Sequence, residues 1–378
     1  MPMNPLLDPG RQALARRYER EKRLLGLAGS AWSLILLLAF YYSGISGRLA
    51  SQPGLVRAFL VYGATFLAWM TVLGLPLGYC SGFIREHQWG FSTQTPAGWL
   101  LDQVKGFLVG LILGWIGLAL LLLIMARFGA LWWLVAGLGT ALVGVVMSTL
   151  APVVIMPLFH RYKPITDETL TRPLAEILAR EGLKSGGFFE EDMSRRTRKE
   201  NAFLAGLGRT RRVVLGDTLV KNMTVPEIVG VIGHEVGHFR LRHIWKGIAA
   251  GTVEQVAVFF VLDAAMRAAF PAAFLASPRA NLALVPMMAA IGGAIAGSIF
   301  GPLGNAVSRH FEKQADLYAV TRVPDGRAFL TALAGLANRN LGNAYPARWV
   351  KILYYSHPPI GERLDDGERA LASVRRVD

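Results

Sequence analysis

The sequence predicts a mainly α, polytopic membrane protein with six transmembrane helices and a polar α+β domain at the cytoplasmic face. Three observations predict it. Of the 378 residues, 53% are hydrophobic and only 17% are charged, with a mean hydropathy of +0.37, where a soluble domain carries roughly a quarter charged residues. The apolar residues gather into long blocks instead of spreading along the chain. The basic excess, a net charge of +14, is concentrated on one set of connecting segments.

Taken in order, the chain opens with a basic arm, residues 1–25, carrying Arg11, Arg16, Arg17, Arg20, Lys22 and Arg23. The arm lacks the short apolar core and small-residue cleavage site of a signal peptide, so the first apolar block is expected to persist as an anchor. Blocks at about 26–46, 55–80, 104–126 and 130–158 make a four-span region over 26–158, each long enough for the ~20 helical residues that cross a bilayer core. Pro152 and Pro157 predict a bend at the end of the fourth. Gly106, Gly110 and Gly114 in the third block, and Gly293, Gly297 and Gly301 in the sixth, read as small-residue helix packing.

Residues 159–378 form the remaining domain, which includes two further spans at about 244–267 and 282–303 and a C-terminal helical segment. Within its polar part an amphipathic helix is expected over 171–182, closed by Gly182, and a strand over 211–215. A helix from Pro226 runs through His234-Glu235-Val236-Gly237-His238, and further helices follow at about 305–321, 325–340 and 359–376.

Orientation follows from the Lys and Arg bias. The arm holds six basic residues and the segment 160–242 holds fifteen, against Arg48, Arg57, Arg127, Arg267 and Arg279 near the other ends. Both termini and the polar domain are therefore expected in the cytoplasm, in a bacterium at the inner membrane. Anionic head groups account for the basic excess and make membrane lipid the expected partner. Nucleic acid is excluded as a partner, because no binding module for it appears. The single cysteine, Cys80, excludes an internal disulfide framework and a thiolate metal site.

The chemistry concentrates in the HEVGH segment. His234 and His238, four apart on a helix, project from one face, a spacing that lets two imidazoles meet one Zn²⁺. Glu235 points about 100° away, out of ligating reach but able to serve an activated water as general base. Gly237 is expected to leave space above the metal. A catalytic zinc needs a third protein ligand and an open position. Glu312 and His310 are the candidates downstream. Glu312 is favoured because Asp316 lies four residues on, placed to accept a hydrogen bond from a ligand histidine. His310 lies about 160° from it around the helix. Inside or beside the spans, Asp102 and Lys105 read as interfacial pairing, whereas Glu254 suggests a water-filled cavity lined by the fifth span.

These segments resemble the type I CAAX prenyl proteases, membrane zinc metallopeptidases that trim prenylated proteins. The resemblance extends to His87–Thr95, to Pro157-Leu158-Phe159 with Tyr162-Lys163-Pro164, and to Asp192–Thr197. It continues through Asn201–Gly206, Val213–Leu219 and Tyr355–Leu364, in order over roughly 80–370. It implies a zincin-like α+β catalytic domain with one zinc per chain, held by His234, His238 and Glu312. Glu235 is then the catalytic base and Asp316 supports a ligand. Asn201, with Ala202 after it, would bind the substrate backbone as an added strand. His357 and Arg363 would lie in the active site, where either can stabilise an oxyanion. The substrate implied is a peptide or prenylated peptide, cut near a chamber enclosed by the spans. Six spans where eukaryotic members have seven, and a short segment at 221–225, point to a prokaryotic member. Two other functions compete. An HtpX-like quality-control protease shares the HExxH motif and a downstream glutamate but has fewer spans. A transporter or receptor would use Asp102, Lys105, Glu254 and Asp263, and would leave the HEVGH segment without purpose.

Overall fold

A computed structural model describes residues 3–183, 185–206 and 212–374. Among them five helical runs are long and apolar enough to cross a membrane: Pro9–Tyr42, Leu55–Gln88, Pro96–Phe159, His243–Ala269 and Val285–Arg322. The third, at 64 residues, would be about 96 Å long if straight, three times the ~30 Å hydrocarbon core. It is not straight. Gly129, with φ 47°, breaks it into Pro96–Phe128 and Trp132–Leu150. The two halves fold back on each other, so that Gly139 approaches Ile124. The five candidate runs thus contain six apolar segments of spanning length.

The loops sort into two ends of the bundle. At one end Ser46 Oγ donates to Ala283 O at 2.7 Å and Arg279 Nη1 to Ala50 O at 2.8 Å. Trp132, just after the Gly129 break, packs edge-on against Phe274 at the same end. At the opposite end Ser92 bridges Thr197, and Arg196 Nη2 donates to Asp102 Oδ1 at 2.8 Å while Lys105 Nζ donates to Leu158 O at 2.9 Å. That end carries the polar domain.

Several boundaries differ from expectation. The basic arm and the first span are one helix from Pro9, because the arm has a face to bury. Gln12, Ala15 and Tyr18 are buried, and Arg11 Nε donates to Asn338 O at 2.8 Å. The prolines at the end of the fourth span produce a π-helical turn, Ala151–Ile155, before Met156–Phe159. The sixth span and the following helix are continuous through a second π-turn, Ala296–Phe300. Glu312 therefore rides on the extension of a transmembrane helix. The glycine ridges pack sparsely: a Cβ at Gly106, Gly114, Gly293 or Gly297 would meet nothing within 4 Å, while one at Gly110 would stand 3.9 Å from Leu67 Cδ2 and one at Gly301 3.3 Å from Ala296 O. Arg211 and residues 375–376 of the expected strand and helix lie outside the described residues.

The domain's sheet has four strands, β1 (Tyr162–Pro164), β2 (Phe188–Glu191), β3 (Ala202–Ala205) and β4 (Arg212–Gly216), in the order β1-β2-β4-β3. β4 is parallel to β2 and antiparallel to β3, which leaves β3 at an edge. Val213 and Leu215 pack with Leu174, Leu178, Leu219, Ile228, Ile232 and Val236 in one apolar core. The core thereby fixes the motif helix, Val225–Arg240, against the sheet. That helix starts on a capping box between Thr224 and Glu227, with Pro226 in its first turn. It ends at Arg242, whose φ of 58° turns the chain into the fifth span at His243.

Gly230, Gly233 and Gly237 form a seam on the motif helix. A Cβ at Gly230 would stand 2.8 Å from Phe329 Cα, one at Gly233 2.2 Å from Val323 Cγ1, and one at Gly237 3.0 Å from Tyr318 Cβ. Gly237 therefore makes room for the neighbouring helix and not for space above a metal, which corrects the expectation. Gly230→Ala, facing backbone that cannot swing aside, is expected to destabilise the domain by about 1–3 kcal/mol. A lower denaturant midpoint at unchanged slope would register it, and an unaltered midpoint would mean the helices separate freely.

Candidate metal centre

The motif helix and the extension of the sixth span cross with their functional faces together. His234 Nε2 lies 3.1 Å from His238 Nε2 and 3.3 Å from Glu312 Oε2, and His238 Nε2 lies 3.3 Å from Glu312 Oε1. One ligand atom from each of the three falls within 4.8 Å of the others. A tetrahedral site with ligands at ~2.0–2.1 Å has edges of about 3.3–3.4 Å. The observed separations match that figure, and Glu312 Oε2 is buried without a hydrogen bond. Two imidazole nitrogens and a carboxylate thus fit a divalent metal better than they fit one another.

Their supports are specific. Asp316 Oδ1 sits 3.0 Å from His234 Nδ1, out of hydrogen-bond alignment, and a carboxylate at that distance favours a proton on Nδ1 and leaves Nε2 to a metal. His234 stacks on Phe329, ring centroids 5.8 Å apart. Burial works against charge on His234, but the neighbouring carboxylates of Asp316 and Glu312 outweigh it and raise its pKa to about 9. Asp316 is held in turn by Arg363, whose Nε and Nη2 donate to its two oxygens at 2.7 and 2.6 Å. Arg363 Nη2 also lies 3.7 Å from Glu312 Oε2. Arg363 is buried, and Asp316 raises its pKa above the usual guanidinium range despite that burial.

The structure brings His357 to the same place, Nε2 3.3 Å from Glu312 Oε1, but its side chain is 58% exposed and faces open space. Ser356 Oγ lies 2.9 Å from His357 Nδ1. Glu235 is half-buried and forms no hydrogen bond or ion pair among the described residues. Asn201 is exposed just before edge strand β3, its carbonyl accepting from Gly216 N at 2.9 Å. Ala202 and Leu204 pack on the core that the motif helix shares. Arg363 departs from an oxyanion donor in being turned inward on Asp316.

Two residues escaped the sequence reading. His243 Nδ1 lies 3.1 Å from His238 Nδ1, and its Nε2 lies 2.8 Å from Gln314 Oε1. His243 also stacks on Phe311 at 4.5 Å. With Nε2 of His238 free, its Nδ1–H donates to His243, and His243 Nε2–H donates to Gln314. His310, set aside as a bystander, only meets Gln314 at the end of this chain, 3.2 Å away. No helical period reveals His243, because the left-handed Arg242 lies between it and His238.

The chain is similar to known proteins over most of its length. Residues 164–369 match the model of peptidase family M48, and residues 3–161 match the CAAX prenyl protease N-terminal region, described as five membrane helices. The chain is 28% identical to an uncharacterized metalloprotease of Bacillus subtilis over 373 residues, covering 96% of this chain and 87% of that one. It is 30% identical to a CAAX prenyl protease 1 homolog of Oryza sativa over 340 residues, covering 86% and 78%. Against CAAX prenyl protease 1 of Saccharomyces cerevisiae it is 27% identical over 383 residues, covering 93% and 84%. The crystal structure of S. mikatae Ste24p superposes with a TM-score of 0.79 at 25% identity, covering 95% of this chain and 89% of that one.

Proposed function

The chain belongs to peptidase family M48 as an integral, multi-pass membrane metallopeptidase, and from that premise we propose a zinc endopeptidase that cuts peptides at the cytoplasmic membrane face. The observation that carries the zinc is the His234, His238 and Glu312 cluster with donor separations of 3.1 and 3.3 Å. His234, His238 and Glu312 would hold the zinc, which would supply Lewis acidity toward a water and the scissile carbonyl. Glu235, without a hydrogen bond among the described residues, takes the proton of the attacking water and returns it to the leaving amine. His357, exposed beside Glu312, donates its ring N–H to the oxyanion. Arg363, committed to Asp316, positions Asp316 and Glu312 and does not itself touch substrate. The free edge of β3 receives the substrate as an added strand, with Asn201 and Ala202 binding its backbone.

Similarity to the CAAX prenyl proteases supports a substrate with a lipidated cysteine near the cut. The cytoplasmic orientation rests on the fifteen basic residues of 160–242 and the six of the arm; the two segments meet where Lys199 Nζ donates to Tyr18 Oη at 2.6 Å. Protein purified in detergent is expected to carry one zinc per chain, lose activity to a chelator and regain it with zinc. It is expected to cleave a farnesylated CAAX peptide faster than its unprenylated twin. Activity in metal-free protein would sink the zinc mechanism, and equal rates on both peptides would remove the lipid requirement alone.

A further inference from the structure

The first span and the C-terminal part of the domain enclose a cavity of about 640 Å³ lined by none of the metal-site residues. Its charged wall holds Glu19, Lys22, Arg23 and Lys199. Two of these are already satisfied. Glu19 Oε1 accepts from Tyr355 O–H at 2.9 Å and lies 3.6 Å from Arg23. Lys199 Nζ donates to Glu86 Oε2 at 2.7 Å and to Tyr18 Oη at 2.6 Å. Lys22 forms no hydrogen bond or ion pair among the described residues. The wall therefore carries a cation with no direct partner beside the cavity, acted on by Glu86 and Glu19 only at longer range, next to two other cations.

The depth of this cation matters. After Arg23 the next charged residue is Arg48, so Lys22 stands where the helix enters the hydrocarbon. Beyond it the same wall continues as Gly26, Leu27 and Ser30, reaching about 12 Å along the helix axis. A Cβ at Gly26 would meet nothing within 4 Å, so the upper cavity is open. Opposite runs the short helix Arg348–Tyr354, whose Trp349, Ile352, Leu353 and Tyr354 are exposed, the composition of a head-group belt. Arg23 lies over the Trp349 ring, 5.3 Å from its centroid. The cavity is thus cationic at head-group level and apolar one turn deeper.

We propose that this cavity binds one anionic phospholipid, its phosphodiester paired with Lys22 and Arg23 and an acyl chain lying along Gly26 and Leu27. The reading needs the membrane placement of the first helix and is independent of the catalytic mechanism. A free phosphate lacks the apolar half of the match, and a zwitterionic lipid brings its own cation to the lysine.

Native mass spectrometry of the full chain in neutral detergent tests it, with dioleoyl phosphatidylglycerol, dioleoyl phosphatidylcholine and glycerol 3-phosphate as probes. One phosphatidylglycerol is expected to stay bound per chain, with phosphatidylcholine and glycerol 3-phosphate retained at least tenfold less. Lys22→Gln is expected to weaken retention about fivefold, the ~1 kcal/mol that one basic residue contributes near an anionic surface. Lys22→Arg is expected to preserve it, and Gly26→Leu to weaken it by filling the acyl path. Peptide cleavage in detergent is expected to be unchanged in all three. Equal retention of both lipids, equal retention by Lys22→Gln and wild type, or glycerol 3-phosphate binding as tightly as the lipid would overturn the proposal. If Lys22→Gln instead raises KM only for peptides with a free C-terminal carboxylate, the cavity belongs to the peptide.

Discussion

Glu235→Gln is expected to retain one zinc per chain and to cleave peptide about 10³-fold more slowly. General acid–base catalysis contributes typically 10²–10⁴-fold, and a thousandfold loss corresponds to about 4 kcal/mol of barrier. Glutamine keeps the shape and removes only the capacity to accept and return a proton. The neighbourhood favours this clean separation. Glu235 has no hydrogen-bond or ion-pair partner among the described residues, so no structural bond is broken. It contributes a favourable field at the buried Arg363, yet Arg363 has its principal anchor in Asp316. Folding and metal content are therefore expected to stay at wild-type levels. The measurements are kcat by peptide assay and zinc by atomic absorption on the same preparation. A variant within tenfold of wild type would show that another group handles the proton. A variant that loses zinc would show that Glu235 has a structural part in the site.

The fold was legible where hydropathy decides it. Six apolar blocks become five helical runs because the third contains two, joined at Gly129. Hydropathy misplaced the beginning of the first helix, since residues 9–23 earn their helix by burying Gln12, Ala15 and Tyr18 against the domain. The site was legible where chemistry demands a period. His234 with His238, and Glu312 with Asp316, each follow a spacing of four, and all four meet. What stayed hidden depends on tertiary approach. Arg363 reaches Asp316 across 47 residues, and His243 reaches His238 only because Arg242 adopts a left-handed conformation. The role of Gly237 likewise depends on Tyr318, which no local pattern announces.

Asp316→Ala is expected to cost both stability and metal, and the two losses can be separated. Arg363 is buried, with both donors of its fork on Asp316. Removing the carboxylate leaves an uncompensated buried cation, a change that costs about 3–5 kcal/mol. The remaining carboxylate within reach, Glu312, is 3.7 Å away and engaged with the histidines. The same substitution strips His234 Nδ1 of its acceptor, and loss of such a supporting carboxylate typically weakens metal binding 10–100-fold. Asp316→Leu combined with Arg363→Leu removes both charges, and replacing a buried ion pair by apolar side chains is often neutral or stabilising. The double variant is expected to recover most of the unfolding free energy while zinc affinity stays depressed, because His234 still lacks its partner. Denaturant unfolding and competitive zinc titration would read the two effects on the same proteins. If zinc affinity returned with stability, the carboxylate would be holding the fold alone, and the tautomer of His234 would have to be fixed by another group.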